Sequence, residues 1–135
     1  MKTFVVLAAS IVLVSILFCP MVMAAPSMPD GLQIVQPDPS LPKELSAFFG
    51  KWQSIARPED FFVIVEKIDE EKASLYVWYA PVDRSGVSWA RREAQVMKER
   101  GKYKLWYSAR GGNNEYTLKG EYLEHNFFGR LRRVP

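Results

Sequence analysis

The chain has 135 residues, 48% of them hydrophobic and 24% charged, with a formal net charge of +3 at pH 7. That length holds one ordinary domain. A single cysteine and a single histidine exclude an internal disulfide, and they exclude a zinc or copper site made of the usual nitrogen and sulfur ligands within one chain.

The first 24 residues have the layout of a secretory signal: Lys2 as the positive start, an apolar run from Phe4 to Phe18, and Val22-Met23-Ala24 as a small-residue cleavage site. The expectation is export to a periplasmic or extracellular space, with an uncleaved N-terminal anchor as the alternative. Cys19 follows bulky Phe18 instead of the small residue that lipoprotein sites carry, so acylation is not expected there. In the segment 25–42, prolines recur at Pro26, Pro29, Pro37, Pro39 and Pro42, which predicts an extended tether. Gly31 to Val35 adds an apolar patch able to dock as a strap.

The remainder, 43–135, reads as one domain. Ser40 is the expected N-cap and Pro42 a first-turn residue, while Leu41, Leu45, Phe48 and Phe49 share a helical face up to Gly50. Such a helix of about two turns must lie against something larger. From there strand-length runs alternate with turn chemistry: Lys51 to Ala56, Phe61 to Ile68, Ala73 to Ala80, Val87 to Met97, Tyr103 to Ala109, Tyr116 to Lys119, Tyr122 to His125, and Phe128 to Val134. Short links without intervening helices predict an antiparallel meander, and closing it removes the exposed edges. The fold class expected is all-β, an antiparallel up-and-down barrel of about eight short strands with a short N-terminal helix. Alternation places Ala73, Leu75, Val77 and Tyr79 on one face, and likewise Tyr103, Leu105, Tyr107 and Ala109. The unbroken run Phe61-Phe62-Val63-Ile64-Val65 predicts a strand covered on both sides, by the helix or by the Ile34 strap.

Gly50-Lys51-Trp52 at the start of the first strand, after a helical turn and before a meander ending in arginines, resembles the lipocalin and calycin barrels. The resemblance implies that Trp52 plugs one end of the barrel under an arginine of the last strand. Arg130, Arg132 and Arg133 are the candidates, and Arg132 is the one assigned, with Gly50, to barrel closure. The ordered set Gly50-Lys51-Trp52, Val65-Glu66-Lys67-Ile68, Trp89-Ala90-Arg91-Arg92 and Leu131-Arg132-Arg133 is also similar to small secreted bacterial domains of unassigned function. Function is then sought at the open end or on the outer wall.

Arg92 shares strand parity with Ala90, Ala94 and Val96, which points a guanidinium into the barrel. A buried cation needs a partner: either an internal carboxylate such as Glu66 or Glu93, or a ligand carboxylate or phosphate gripped bidentately; a break in strand register would instead send Arg92 outward. Tyr79, Tyr103 and Tyr107 are expected to line the same space. His125 reads as a packed or surface histidine. Neither Ser88 nor Ser108 sits in a nucleophile elbow, and Glu66, Glu93 and Glu124 are ordinary strand acids, so no catalytic residues, enzyme activity or cofactor are expected. Lys102 to Tyr107 interleaves bases and aromatics as single-strand nucleic-acid platforms do, but strand alternation produces the same string, and the export signal argues against nucleic acid. Arg110 to Asn114 reads as a hairpin turn. The partner expected is a small amphiphile or lipid, or another anionic envelope component. The second reading is an accessory domain with a filled core that meets an envelope protein or polymer through Tyr76, Trp78 and Trp106.

Overall fold

The computed structural model describes residues 26–80, 87–109 and 111–135. The predicted signal segment with its cleavage site, Cys19 and the turn at 81–86 lie outside the described residues. One short helix, α1 (Lys43–Ser46), precedes eight strands: β1 (Gly50–Ser54), β2 (Phe61–Ile68), β3 (Lys72–Tyr79), β4 (Trp89–Glu99), β5 (Lys102–Ala109), β6 (Gly112–Lys119), β7 (Tyr122–His125) and β8 (Gly129–Val134). Every neighbouring pair is antiparallel, and β8 returns to β1 with Trp52 opposite Arg133, closing the barrel. The all-β, up-and-down expectation therefore holds.

Strand alternation builds the interior. Trp52, Phe61, Val63, Val65, Leu75, Leu105, Tyr116, Leu123 and Leu131 are buried in one core, with polar residues outside on most strands. Tight links set the register. At the β4–β5 hairpin Arg100 and Gly101 both take positive φ, 51° and 78°, the twist that two-residue hairpins prefer. Between β2 and β3 the Asp69 carboxylate accepts the Glu71 and Lys72 amides at 2.8 and 2.9 Å, and these bonds hold its pKa below the usual aspartate range.

The helix is shorter than its apolar spacing suggests. Only Lys43–Ser46 is helical, and Pro42 stands at the N-cap. Ser40 instead turns on Asp38, whose carboxylate accepts both the Ser40 amide and hydroxyl. The β5–β6 link is tighter than expected as well, since β6 starts at Gly112 and draws Asn113 and Asn114 into the sheet.

The Pro-rich segment lies on the barrel's outer wall. Val35 N–H donates to the Glu66 carbonyl at 2.8 Å, Gln33 N–H to the Glu66 carboxylate at 3.0 Å, the Tyr76 hydroxyl to Asp30 O at 3.4 Å, and Trp89 Nε1 to Ser27 O at 2.6 Å. The strap thus crosses β2, β3 and β4, and its Pro26 and Met28 come beside Phe62 and Ile64 on the outer side of β2, both of which are buried. Ile34 itself stays exposed.

Candidate functional site

The two ends of the barrel are built differently. At the base Trp52 is 1% exposed, and its Nε1 donates to Phe48 O at 2.9 Å. Arg133 lies over the indole at 4.2 Å from the ring centroid, close enough for cation–π attraction. Its two terminal nitrogens donate to Phe49 O at 2.5 Å and Ala47 O at 2.6 Å. Three successive carbonyls past the end of α1 are thereby satisfied from the barrel.

The covering arginine is Arg133 and not Arg132. Leu131 faces the core, so alternation sends Arg133 to the same side and Arg132 to the outside, where it donates to Gln53 Oε1 at 3.1 Å. Gly50 has φ 121°, and a Cβ there would sit 2.6 Å from Arg133 Nη1. The glycine of Gly-x-Trp is required both for its backbone and for the space the arginine occupies.

Among the described residues the opposite end is open. A cavity of about 400 Å³ is lined by Arg92, Tyr79, Tyr107, Asn114, Phe61 and Phe128, with Val77 and Ala90 behind them. Of the residues expected there, Arg92, Tyr79 and Tyr107 reach it. Tyr103 does not line it: it has the same strand parity as Tyr107 but lies four residues nearer the base, beneath Lys98, whose Nζ is 5.2 Å from its ring.

Neither carboxylate considered as an internal partner reaches Arg92. Glu66 is on the outer wall, paired with Arg91 at 2.8 Å and bonded to the strap, and Glu93 is outside with Lys72 at 3.5 Å. Among the described residues Arg92 has only a long 3.4 Å bond to the Arg91 carbonyl, and no Asp or Glu lines the cavity.

Two more polar groups come from β6 and β7: Asn114, which the sequence reading does not single out, and His125, which it reads as packed or at the surface. Asn114 is the direct cross-strand neighbour of Tyr107, and His125 of Tyr116. The Tyr107 and Tyr116 hydroxyls are 3.2 Å apart. Burial pushes the pKa of both phenols up, that of fully enclosed Tyr116 the further, while the Arg92 charge acts on both in the opposite direction. His125, 1% exposed, is packed among Phe61, Tyr116 and Phe128 with ring centroids 4.7–5.2 Å away. Burial lowers its pKa from 6.5 to about 4, so the ring is neutral near pH 7. Phe61 stacks on Phe128 at 4.0 Å, which gives the cavity an aromatic floor.

Among the described residues no group of three or more His, Cys, Asp or Glu is placed to hold a metal ion, and no helix is long and apolar enough to cross a membrane. Comparison with family models, with curated proteins and with solved structures finds no match to this chain. The described residues that line the cavity are one cation, a few neutral polar groups and an aromatic wall, a set able to hold a ligand by its charged end.

Proposed function

We propose that this chain is an exported, non-enzymatic, lipocalin-like barrel that holds a small amphiphilic or anionic ligand of the cell envelope in its open end. The observation that carries this reading is Arg92, an inward-facing cation without a carboxylate partner among the described residues. It sits on the wall of a cavity of about 400 Å³, a size within the range of small-molecule sites. Phe61, Phe128 and Val77 would take the apolar part of the ligand, and Tyr79 and Tyr107 would flank its polar end. The export signal read from residues 1–24 supports an envelope source.

The outer-wall alternative has less to offer a partner. Tyr76 is buried, and Trp78 and Trp106 are half-buried; the strap binds Tyr76 and Trp89. The test is native mass spectrometry of the exported protein purified from its own envelope, beside an Arg92→Ala variant. A retained small-molecule mass that is lost or much reduced in the variant is expected. A ligand retained equally by both would remove Arg92 from the site, and no retained mass under gentle conditions would count against the carrier reading. The same spectrum gives the mature mass and so reads the fate of the first 24 residues.

A further inference from the structure

The placement of hydrogens around the cavity follows from the heavy atoms alone. His125 Nδ1 receives the Phe127 and Phe128 amide hydrogens at 3.1 and 3.2 Å. A ring nitrogen that accepts from backbone N–H groups carries no proton of its own. In a neutral ring the proton is then on Nε2, and the neighbour of Nε2 must accept it. That neighbour is Asn114 Oδ1 at 3.2 Å, so the amide of Asn114 is turned with its oxygen to the histidine. Its Nδ2 hydrogens are left for the cavity that Asn114 lines, and they have no other partner among the described residues.

The tyrosine pair is polarised by the same reasoning. Tyr116 is 1% exposed, and its hydroxyl has Tyr107 as its single partner among the described residues. A hydroxyl hydrogen enclosed in the core needs an acceptor, so Tyr116 donates and the Tyr107 oxygen accepts. The Tyr107 hydrogen is thereby free to point into the cavity that its ring lines. Arg92 has donors only. Guanidinium, phenol and carboxamide thus all present hydrogens to one space, while the Ser88 hydroxyl at the exposed rim and the Tyr79 hydroxyl of the lining turn either way.

We propose that His125 and Asn114, acting with Tyr107 and Arg92, make the described lining of the mouth a donor-dominated site that selects ligands by an anionic head group able only to accept hydrogen bonds. This rests on the cavity being the ligand site proposed above. His125 is a positioning residue that does not line the cavity: it holds the amide of Asn114 in one of two orientations, and the Phe127 and Phe128 backbone holds the histidine. A carboxylate or a phosphate monoester on a short apolar chain satisfies such a site. The matching primary amide or alcohol brings hydrogens that meet other hydrogens, and a site built for one kind of hydrogen-bond partner rejects the other strongly.

The test uses displacement of an environment-sensitive dye from the full-length mature protein near pH 7, with octanoate, octyl phosphate, octanamide and octanol as competitors. Octanoate or octyl phosphate is expected to bind about tenfold or more tightly than the amide and the alcohol, and whichever of the two wins identifies the head group. In Asn114→Asp the anion preference is expected to fall by at least that factor, because an acceptor and a negative charge replace the donors beside Arg92. Equal binding of all four would overturn the donor-dominated site while leaving the carrier function standing, and no binding by any would overturn both. A measurement that needs neither variant nor ligand is ¹⁵N NMR of the single histidine. The Nε2–H tautomer is expected, and an Nδ1–H tautomer would sink the inference.

Discussion

Arg133 and Arg92 both point inward, from strands on opposite sides of the same barrel, and they meet opposite conditions. At the base Arg133 is fully employed: it covers Trp52, and it donates to the Ala47 and Phe49 carbonyls. At the mouth Arg92 has a single long bond to a backbone carbonyl among the described residues and faces a cavity. The same residue type thus closes one end and leaves the other chemically unfinished. An inward charge is therefore not in itself a sign of a binding site; what its neighbours leave unsatisfied is.

The base should be where the fold is most easily broken. Trp52→Ala removes the largest fully buried side chain together with the indole that bonds Phe48 O. It is expected to cost about 3–5 kcal/mol, read by urea denaturation. A Trp52→Ala variant of near wild-type stability would mean that the base plug is ornamental.

The mouth carries a pH dependence of its own. Burial lowers the His125 pKa in the folded chain from the ordinary 6.5 to about 4. The unfolded chain therefore binds more protons between those values, so this contribution to stability is complete above pH 6.5 and is lost as pH falls towards 4. Its size is roughly 3 kcal/mol. Carboxylates titrate in part of the same window, so the measurement is the difference between wild type and His125→Gln in denaturation series from pH 8 to pH 4. The two curves should converge on acidification, and parallel curves would remove His125 as the cause.

A smaller effect tests why the closed end begins with glycine. In Gly50→Ala the new methyl meets the Arg133 guanidinium from a backbone at φ 121°, and the expected cost is roughly 1–3 kcal/mol. Part of that cost should disappear when Arg133 is shortened in the same chain, because the clash goes with it. Additive losses in the double variant would place the strain in the backbone alone.

What the sequence reveals of this comparison follows strand parity. Alternation is enough to place Arg92, Tyr79 and Tyr107 on the inner face, and Gly50-Lys51-Trp52 marks the closed end. Parity states a face but not a height, which is why Tyr103 shares the face of Tyr107 without sharing its cavity. The choice between Arg132 and Arg133 needs the register of β8, legible once Leu131 is taken as an inward residue. Asn114 is hidden because the run Arg110 to Asn114 looks like one long turn. A tighter turn that frees Asn114 to alternate with Tyr116 would bring it to the inner face. The strap is the least legible part, since prolines predict an extended chain but say nothing of the Glu66 carbonyl and carboxylate that bind it.

The most direct measurement of the contrast between the two ends is a pair of urea denaturation curves, Arg133→Met and Arg92→Met against wild type without ligand. Arg133→Met should lose about 1–2 kcal/mol, from its carbonyl hydrogen bonds and its stacking on Trp52. Arg92→Met should be neutral or slightly stabilising, since it removes an inward cation that no carboxylate among the described residues balances. Equal losses in the two variants, or a larger loss at Arg92, would contradict the assignment of one arginine to structure and the other to ligand.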